Sequence, residues 1–424
     1  MERAVLAVFL AAFALEHAVL WTLAALNLRQ ARRRGAEIPP ALTGRVDAAT
    51  AARSRDYALA RGRLGLAASA WGAALTLAVL LGGALPRLDR WLGALGLEGP
   101  HRFAAFLALL AAAGWTAFLP FSLHGTFALE ARFGFNRTTP RLWLADRARG
   151  LAIAAALGAP LLYAAHAFFA RAGAAWWLWL FGLLAAVEIA LAWLWPSLLA
   201  PLFNRYAPLP EGPLRARLEA LCRDAGFRTR GLFSVDASRR SGHANAFFAG
   251  LFRPRIVLFD TLVEGTPVDE AAAILAHEIG HFRARDVHRG LLLGLAGQLV
   301  GLYALSRLAA WPPAFRAFGF PEPSLHAAAA LAALCGGSFT FVLEPLGAWL
   351  SRRRERAADR YAVRLTGLPD ALASALVRLG ERNLSTPSPH PWYAAWHHSH
   401  PALPARLAAI ERAASPPHPD PLPR

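Results

Sequence analysis

The sequence predicts a mainly α-helical membrane protein with seven spans and a small β-sheet in its polar part. Its composition is 56% hydrophobic and only 17% charged, which is too apolar for an ordinary soluble protein. Seven apolar stretches are each long enough to cross a bilayer, and a polar segment between the fifth and the sixth holds short β-prone runs. The lipid bilayer is therefore the expected solvent of these apolar stretches.

A membrane-spanning helix needs roughly 20 mostly apolar residues. The stretches that meet this condition are residues 4–27, 64–85, 103–122, 150–170, 175–198, 288–310 and 325–350. The first contains Glu16 and His17 and shows no small-residue cleavage site, so it is predicted to be a retained span and not a signal peptide. Glu344 and Pro345 predict that the seventh span is kinked or faces a wet interior.

The distribution of arginine predicts the orientation of these spans. Nine arginines lie between residues 29 and 63 and five between residues 132 and 149, whereas the loops on the other side hold fewer. Because basic residues collect in cytoplasmic loops, we expect the N-terminus outside and the C-terminus, with both long polar segments, in the cytoplasm. All 45 basic residues are arginine, which together with abundant Ala, Gly and Pro indicates a G+C-rich bacterial genome and hence a bacterial inner membrane.

The formal net charge of +17 does not indicate nucleic-acid binding. Basic residues gather in the loops of membrane proteins, and no basic stripe interleaves with aromatic residues as single strands require. The expected partner is the lipid bilayer and not nucleic acid.

The chain divides into five predicted parts. They are an N-terminal membrane region of five spans (1–198), a cytoplasmic segment with an edge strand and a metal-binding helix (199–287), a transmembrane hairpin (288–350), a cytoplasmic helical segment (351–413) and a disordered Pro-rich tail (414–424). Within the second part, the pattern predicts helices over 212–225 and 268–285 and β-strands near 231–235, 244–248 and 255–259.

Residues 277–281 read His-Glu-Ile-Gly-His on the second of these helices. Because a helix has about 3.6 residues per turn, His277 and His281 lie on one face and can bind one tetrahedral Zn²⁺. Glu278 lies next to that face, so its carboxylate can take a proton from a water at the metal and later deliver it to a leaving amine. The pattern predicts the zinc centre of a peptidase, with one ion per chain. The alternative is a helix with two interfacial histidines.

The third zinc ligand is expected further along the chain. A histidine at the metzincin spacing would fall at position 287, but that residue is Val287, so a later glutamate is the expected ligand. Glu355 follows the seventh span directly, and the transmembrane hairpin returns it to the side of the two histidines. Asp359, one turn on, can orient a ligand histidine. The alternatives are that Glu355 only neutralises its flanking arginines, or that Glu344 is the ligand.

Two further segments are candidates for substrate contacts. Residues 238–250 predict a polar loop and an edge strand, which could bind an extended peptide by main-chain pairing, with His243 and Asn245 on one face. Residues 397–401 form a histidine cluster before a helix with Arg406, and near a metal His400 and Arg406 could stabilise an oxyanion. The alternatives are a sheet that only caps the metal-binding helix and a surface histidine cluster without function.

Several motifs occur in a fixed order along nearly the whole chain. They are FGFNRT at 133–138, PLFN at 201–204, the SxxSxHxNAxFxG stretch at 238–250, HEIGH at 277–281, SRRRE at 351–355 with Ala358 and Asp359, and SHP at 399–401 with Leu403 and Arg406. This ordered set resembles the type 1 CAAX prenyl protease family of membrane-embedded zinc proteases.

The resemblance implies a seven-helix barrel around a large intramembrane chamber, with the metal site facing inward near its cytoplasmic end. It implies zinc ligation by His277, His281 and Glu355, a general base and acid in Glu278, a supporting Asp359, and substrate or transition-state contacts from Asn245, His400 and Arg406. The implied substrate is a prenylated CAAX protein that loses its last three residues. In a bacterium, the alternative is an unprenylated membrane or misfolded protein.

Three other functions compete with this one. An HtpX-like quality-control protease shares the HExxH motif and the later glutamate but has fewer spans. A transporter or channel with an accidental HExxH would bind no zinc, and a catalytically dead scaffold would lack residues of the zinc site. The seven predicted spans and the complete set of site residues favour a membrane zinc endopeptidase that acts on peptide or protein substrates.

Overall fold

A computed structural model describes residues 1–250 and 254–414 of the chain. Over these residues the protein is mostly helical with one small sheet, which confirms the predicted fold class. The predicted disordered tail, apart from Ala414, lies outside the described residues.

The described α-helices are numbered α1 to α17 in chain order. They are α1 (Glu2–Arg34), α2 (Ala48–Leu81), α3 (Ala84–Ala94), α4 (Gly99–Leu123), α5 (Pro140–Arg171), α6 (Trp176–Leu194), α7 (Pro213–Asp224), α8 (Asp260–Val263), α9 (Val268–Arg283), α10 (Asp286–Ala309), α11 (Pro312–Ala317), α12 (Leu325–Cys335), α13 (Gly337–Thr340), α14 (Glu344–Thr366), α15 (Pro369–Arg382), α16 (Pro391–His397) and α17 (Leu403–Ala414).

Within residues 1–250 and 254–414, six helical stretches are long and apolar enough to cross a membrane, and a bent pair of helices makes a seventh if it forms one span. The six are Glu2–Arg34, Ala48–Leu81, Gly99–Glu130, Pro140–Arg171, Gly173–Leu202 and Asp286–Ala309, and the pair is Leu325–Cys335 with Gly337–Thr366. At most 11% of each apolar window among the six is buried. Protein therefore covers only a small part of the apolar surface of these six spans.

The first two spans are longer than the predicted apolar stretches. Helix α1 continues to Arg34 and α2 begins at Ala48, so only residues 35–47 connect them. Much of the arginine-rich loop of the prediction is therefore helical. The difference arises because apolar content identifies only the part of a helix that lies in hydrocarbon.

The seventh span bends by 49° between its two helices. A short 3-10 turn at Phe341–Leu343 precedes α14, and Pro345 occupies the first turn of that helix. Proline is tolerated there because the first N–H groups of a helix have no intrahelical partner. The span is kinked, as predicted, but the bend lies at Gly336 and not at Glu344 and Pro345, and α14 continues without a break through Glu355 and Asp359.

The polar part contains a four-stranded mixed sheet. Its strands are β1 (Tyr206–Pro208), β2 (Leu232–Val235), β3 (Ala246–Ala249) and β4 (Arg255–Phe259). The strand order is β1-β2-β4-β3, with β2 and β4 parallel and the two outer pairs antiparallel. Strand β3 therefore lies at an edge of the sheet, as predicted, and no further strand of the described residues pairs with its outer side.

One hydrophobic core joins this sheet to the helices of the polar part. Leu218 of α7, Ile256 and Leu258 of β4, and Leu275 and Ile279 of α9 are all at most 2% exposed. Apolar burial of this kind stabilises a protein by roughly 25 cal/mol per Å². The core fixes α9 between the sheet and α14, which determines the geometry of the site.

Candidate functional site

The HExxH motif lies in the middle of α9, and its two histidines face the same way. Nε2 of His277 lies 3.1 Å from Nε2 of His281, and their ring centroids are 4.8 Å apart. His277 is only 8% exposed, because it lies on the buried face of α9. The predicted helix and the shared face of the two imidazoles are both present.

Gly280 explains how a second helix reaches these histidines. A Cβ added to Gly280 would lie 3.1 Å from Cα of Ala358 and 3.3 Å from the Tyr361 side chain. Helices cross most closely where one of them has no side chain, so Gly280 allows α14 to pack directly on α9. This contact brings Glu355 to the two imidazoles.

Glu355 completes a cluster of three side chains with the spacing of metal ligands. Its Oε1 lies 3.1 Å from Nε2 of His281, and its Oε2 lies 3.5 Å from Nε2 of His277. One potential ligand atom from each of the three residues lies within 4.8 Å of the others. The structure thus brings together the three residues that the sequence pointed to.

The donor set fits a catalytic zinc ion. Two imidazoles and one carboxylate leave a fourth position of a tetrahedral ion open, as hydrolytic zinc sites require. Oε2 of Glu355 is buried and accepts no hydrogen bond of normal geometry, although Nδ1 of His400 lies 2.8 Å away. A cation beside this oxygen would compensate a buried charge that is otherwise costly.

Carboxylates also contact the outer nitrogens of both histidines. Oδ1 of Asp359 lies 2.8 Å from Nδ1 of His277, and Oδ2 of Asp286 lies 2.9 Å from Nδ1 of His281. Such contacts fix the ring orientation and leave Nε2 free to bind a metal. Asp359 is in turn held by Arg406, whose guanidinium donates to both of its oxygens at 2.9 and 2.6 Å.

Sequence reasoning missed Asp286. It follows His281 by five residues and begins α10, after a turn in which Arg285 adopts a left-handed conformation with φ 55°. The turn returns the chain to α9, and no linear spacing rule predicts it. The only signal was an acidic residue immediately beyond the HExxH helix.

Glu278 is half-buried beside the two histidines. Burial raises its pKa above the ordinary value, and this effect outweighs the opposing attraction of His277 and His281. A raised pKa suits a carboxylate that must accept and return a proton near neutral pH.

The two candidate oxyanion contacts lie at the same carboxylate. Nδ1 of His400 is 2.8 Å from Oε2 of Glu355, and a guanidinium nitrogen of Arg406 is 3.7 Å from the same atom. The His400 side chain is 62% exposed, whereas that of Arg406 is 11% exposed. His400 is therefore open to an incoming substrate, and Arg406 is held from behind by Asp359.

Two residues of α14 fix the loop that carries His400. Arg352 donates from one nitrogen to the carbonyl oxygens of Ala394 and His398, at 3.1 and 2.7 Å. Glu344 accepts a hydrogen bond from Trp396 and lies 2.6 Å from Nδ1 of His397. The sequence offered Glu344 as a competing zinc ligand, but its carboxylate instead contacts this loop.

The predicted substrate residues before β3 have different surroundings. Strand β3 begins at Ala246 and not at Ala244, so strand alternation does not set the directions of His243 and Asn245. The His243 ring stacks on Phe135 at 4.0 Å and lies within hydrogen-bond distance of Asn383. Asn245 is exposed, and its side chain accepts a hydrogen bond from the backbone N–H of Ala246.

Three of the sequence motifs meet in front of this strand. The N–H of Gly242 donates to the carbonyl of Phe135, and Asn136 forms a β-bridge with Ser241. Arg240 donates to Asn204 at 2.8 Å. The FGFN and PLFN segments, remote from the metal-ligand residues in sequence, thus hold the loop that leads into the edge strand.

A set of membrane-spanning helices together with a cluster of two histidines and a glutamate at metal-ligand spacing is typical of an integral membrane metallopeptidase. Two family models cover nearly the whole chain. Residues 27–205 match the CAAX prenyl protease N-terminal model, described as five membrane helices, and residues 208–414 match the model of peptidase family M48.

Known proteins agree with this class. The chain is 33% identical over 412 residues to the CAAX prenyl protease 1 homolog of Oryza sativa subsp. japonica, covering 92% of this chain and 94% of the relative. It is 31% identical to CAAX prenyl protease 1 of Saccharomyces cerevisiae, covering 88% of both chains. The crystal structure of S. mikatae Ste24p superposes with a TM-score of 0.88 at 28% identity, covering 97% of this chain and 99% of that one.

The chain therefore belongs to the type 1 CAAX prenyl protease family within peptidase family M48. M48 is a family of zinc metallopeptidases, so the protein is a multi-pass membrane metallopeptidase, as the sequence predicted. The comparisons give the HtpX-like alternative no better support.

Proposed function

We propose that His277, His281 and Glu355 hold one zinc ion per chain and that Glu278 is the general base and acid of peptide-bond hydrolysis. The single observation that carries this proposal is the three-residue cluster, with His277 and Glu355 buried and His281 partly buried, whose ligand atoms lie within 4.8 Å of one another. Two carboxylates on the outer nitrogens of the histidines support it, because metal-binding histidines characteristically have such partners.

Zinc held by these three residues would supply a Lewis acid for the scissile carbonyl and for the attacking water. Glu278 takes the proton from that water and returns it to the nitrogen of the leaving amine. Asp359 keeps Nδ1 of His277 protonated and its Nε2 available as a ligand, and its contact of 2.8 Å supports this role.

His400 and Arg406 are proposed to stabilise the negative charge that develops on the carbonyl oxygen. Both approach Oε2 of Glu355, at 2.8 and 3.7 Å, so they lie beside the reacting atoms. Removing one such donor from a hydrolase typically lowers kcat by roughly 10²-fold to 10³-fold. The exposed His400 would bind the substrate oxygen, and Arg406 would contribute charge from its fixed position.

The substrate is proposed to pair with the free edge of β3. Edge strands bind an extended peptide through main-chain hydrogen bonds, largely irrespective of its side chains. Exposed Asn245 would hold the substrate backbone at the start of that strand. His243 would act beside it, and its contacts with Phe135 and Asn383 would fix its position.

A prenylated C-terminal peptide is the proposed substrate class, with removal of its last three residues. Relatives that match most of this chain are named CAAX prenyl protease 1 or its homolog, and a space between the apolar spans would receive the prenyl chain. The arginine-rich loops favour a cytoplasmic active site and C-terminus with the N-terminus outside, in a bacterial inner membrane.

Zinc analysis combined with a cleavage assay tests this proposal. Glu278→Gln should retain zinc and lose cleavage, whereas His277→Ala should lose both. His124→Ala, which removes an exposed histidine of another helix, is the matched control and should keep both. Undiminished cleavage by Glu278→Gln would refute the assigned base. Equal cleavage of farnesylated and unfarnesylated peptides would refute the proposed substrate class and leave the zinc chemistry intact.

A further inference from the structure

A cavity of about 850 Å³ lies beside the junction of α9 and α10, and it contains none of the residues assigned to zinc or substrate. This volume is within the range of ligand pockets, roughly 300–1,000 Å³. The cavity is lined by Gly226, Phe227, Arg228, Phe282, Arg283, Arg285, His288, Arg289 and Leu292.

Four arginines give this cavity a strong positive charge. Within residues 1–250 and 254–414, none of Arg228, Arg283, Arg285 and Arg289 forms an ion pair with a carboxylate within 4.0 Å. By contrast, Arg354 close by pairs with Asp286. Arginines that line one cavity without a carboxylate partner favour an anion, and above all a phosphate, which a guanidinium group can bind with two hydrogen bonds. The Arg283 guanidinium also lies 5.8 Å from the centroid of the Tyr361 ring.

The other lining residues are apolar. Phe227 packs edge-on against Phe282 with ring centroids 5.0 Å apart. Leu292 is 66% exposed, and it follows Arg285 and Arg289 at helical spacing, so the three share one face of the chain entering α10. The cavity therefore has a cationic part and an apolar part.

The position of the cavity decides between a free anion and a lipid. Helix α10 is one of the spans, and Arg285, His288 and Arg289 lie at its first turn. This turn lies where the span leaves the polar part, so it marks the level of the lipid headgroups, and Leu292 one turn further faces the hydrocarbon. A ligand with a phosphate and an acyl chain matches both parts.

We propose that this cavity binds an anionic phospholipid of the leaflet on the active-site side. Arg228, Arg283, Arg285 and Arg289 bind the headgroup phosphate. Phe227, Phe282 and Leu292 contact the upper part of an acyl chain. The bound lipid spans the junction between the HExxH helix and the sixth span and holds the two together.

Native mass spectrometry of the full-length protein, with phosphatidylglycerol or phosphatidylcholine added, tests the proposal. The double variant Arg228→Gln/Arg289→Gln should retain about tenfold less phosphatidylglycerol than the wild type. Its matched control is Arg32→Gln/Arg33→Gln, which removes the same charge from the end of α1 and should bind as the wild type does. Cleavage of a peptide in neutral detergent at the wild-type rate would establish that the double variant is folded.

Three results would overturn the proposal. The first is equal phosphatidylglycerol binding by the double variant and its control, and the second is equal retention of phosphatidylcholine by the wild type. The third concerns the source of the phosphate. If inorganic phosphate raises the Tm of the wild type but not that of the double variant, and displaces no lipid, the cavity binds a free anion and not a lipid.

Discussion

Gly280 and Ala358 are in direct contact, so close that a Cβ on Gly280 would lie 3.1 Å from Cα of Ala358. Through this contact α14 approaches α9, and Glu355 reaches the two histidines. The glycine of the HEIGH motif thus has a packing role, although the HExxH pattern itself does not require glycine at that position.

Gly280→Ala should therefore weaken the metal site. The new methyl group must displace the backbone of α14, and such overpacking costs typically ~1–3 kcal/mol. We expect a lower Tm and a lower zinc affinity, measured by competition with a chelator. Gly297→Ala is the matched control, since nothing lies within 4 Å of a Cβ at that position of α10. Equal zinc affinity in the two variants would show that α14 has room to move.

Asp286→Asn should reduce zinc affinity or cleavage without removing a ligand. Asp286 contacts Nδ1 of His281 at 2.9 Å. Loss of such a partner typically lowers metal affinity or activity by about 10-fold to 100-fold, and we expect a loss in that range here. The measurement is zinc affinity together with kcat. Asp269→Asn, which changes an exposed carboxylate at the start of α9, is the control. Wild-type zinc affinity and kcat in Asp286→Asn would show that Asp286 does not support the zinc site.

Arg352→Gln should lower kcat and leave zinc content unchanged. Its two hydrogen bonds to the carbonyls of Ala394 and His398 fix the loop that places His400 beside Glu355. We expect a loss of about tenfold or more in kcat, with a smaller change in KM, because His400 is assigned to the transition state.

Two further variants distinguish a positioning role of Arg352 from a general structural one. Arg352→Lys keeps a donor and should restore part of the rate. Arg353→Gln changes the neighbouring arginine, which is exposed and lies over the Trp349 ring, and it should behave as the wild type. A proportional fall of rate and zinc content in Arg352→Gln would contradict the positioning role.

Glu270→Gln should destabilise the protein at neutral pH and less so in acid. Burial alone would raise the pKa of Glu270, but hydrogen bonds from Arg378 and Ser374 lower it below its ordinary value of 4.5. A carboxyl with a lowered pKa stabilises the fold above its unfolded-state pKa, and this contribution is lost as the pH falls through the folded-state pKa.

Glu270→Gln should lower the free energy of unfolding at neutral pH. The loss should lie between the ~1 kcal/mol that an exposed ion pair contributes and the ~3 kcal/mol lost when a buried pair is broken. It should shrink below about pH 4.5. Thermal unfolding as a function of pH measures it. Glu219→Gln removes a carboxylate paired with Arg215 on an exposed surface and is the control. A pH-independent difference would contradict the assignment.

Much of the zinc cluster could be predicted from the sequence. The spacing of His277 and His281 fixes their common face through helix geometry alone, and the transmembrane hairpin argument placed Glu355 beside them. Asp286 and Arg352 could not be found in this way. Their contacts depend on a left-handed turn at Arg285 and on the packing of a distant loop against α14, which no periodicity encodes.

The fold, too, could be predicted from the sequence only in part. Apolar runs identified the spans, but not how far α1 and α2 extend beyond the bilayer. Three of the strands were predicted from β-prone runs, whereas β1 was missed because it has only three residues and ends in Pro208. Its pairing with β2 depends on the tertiary fold and not on local propensity.

Zinc K-edge X-ray absorption of the purified, zinc-loaded protein tests the central claim most directly. Coordination by His277, His281 and Glu355 predicts two imidazole nitrogens at about 2.0–2.1 Å and oxygen ligands at about 2.0–2.2 Å. Glu355→Ala should change the oxygen shell and keep both nitrogens. A spectrum with sulfur or a third imidazole at the metal, or one unaltered by Glu355→Ala, would contradict it.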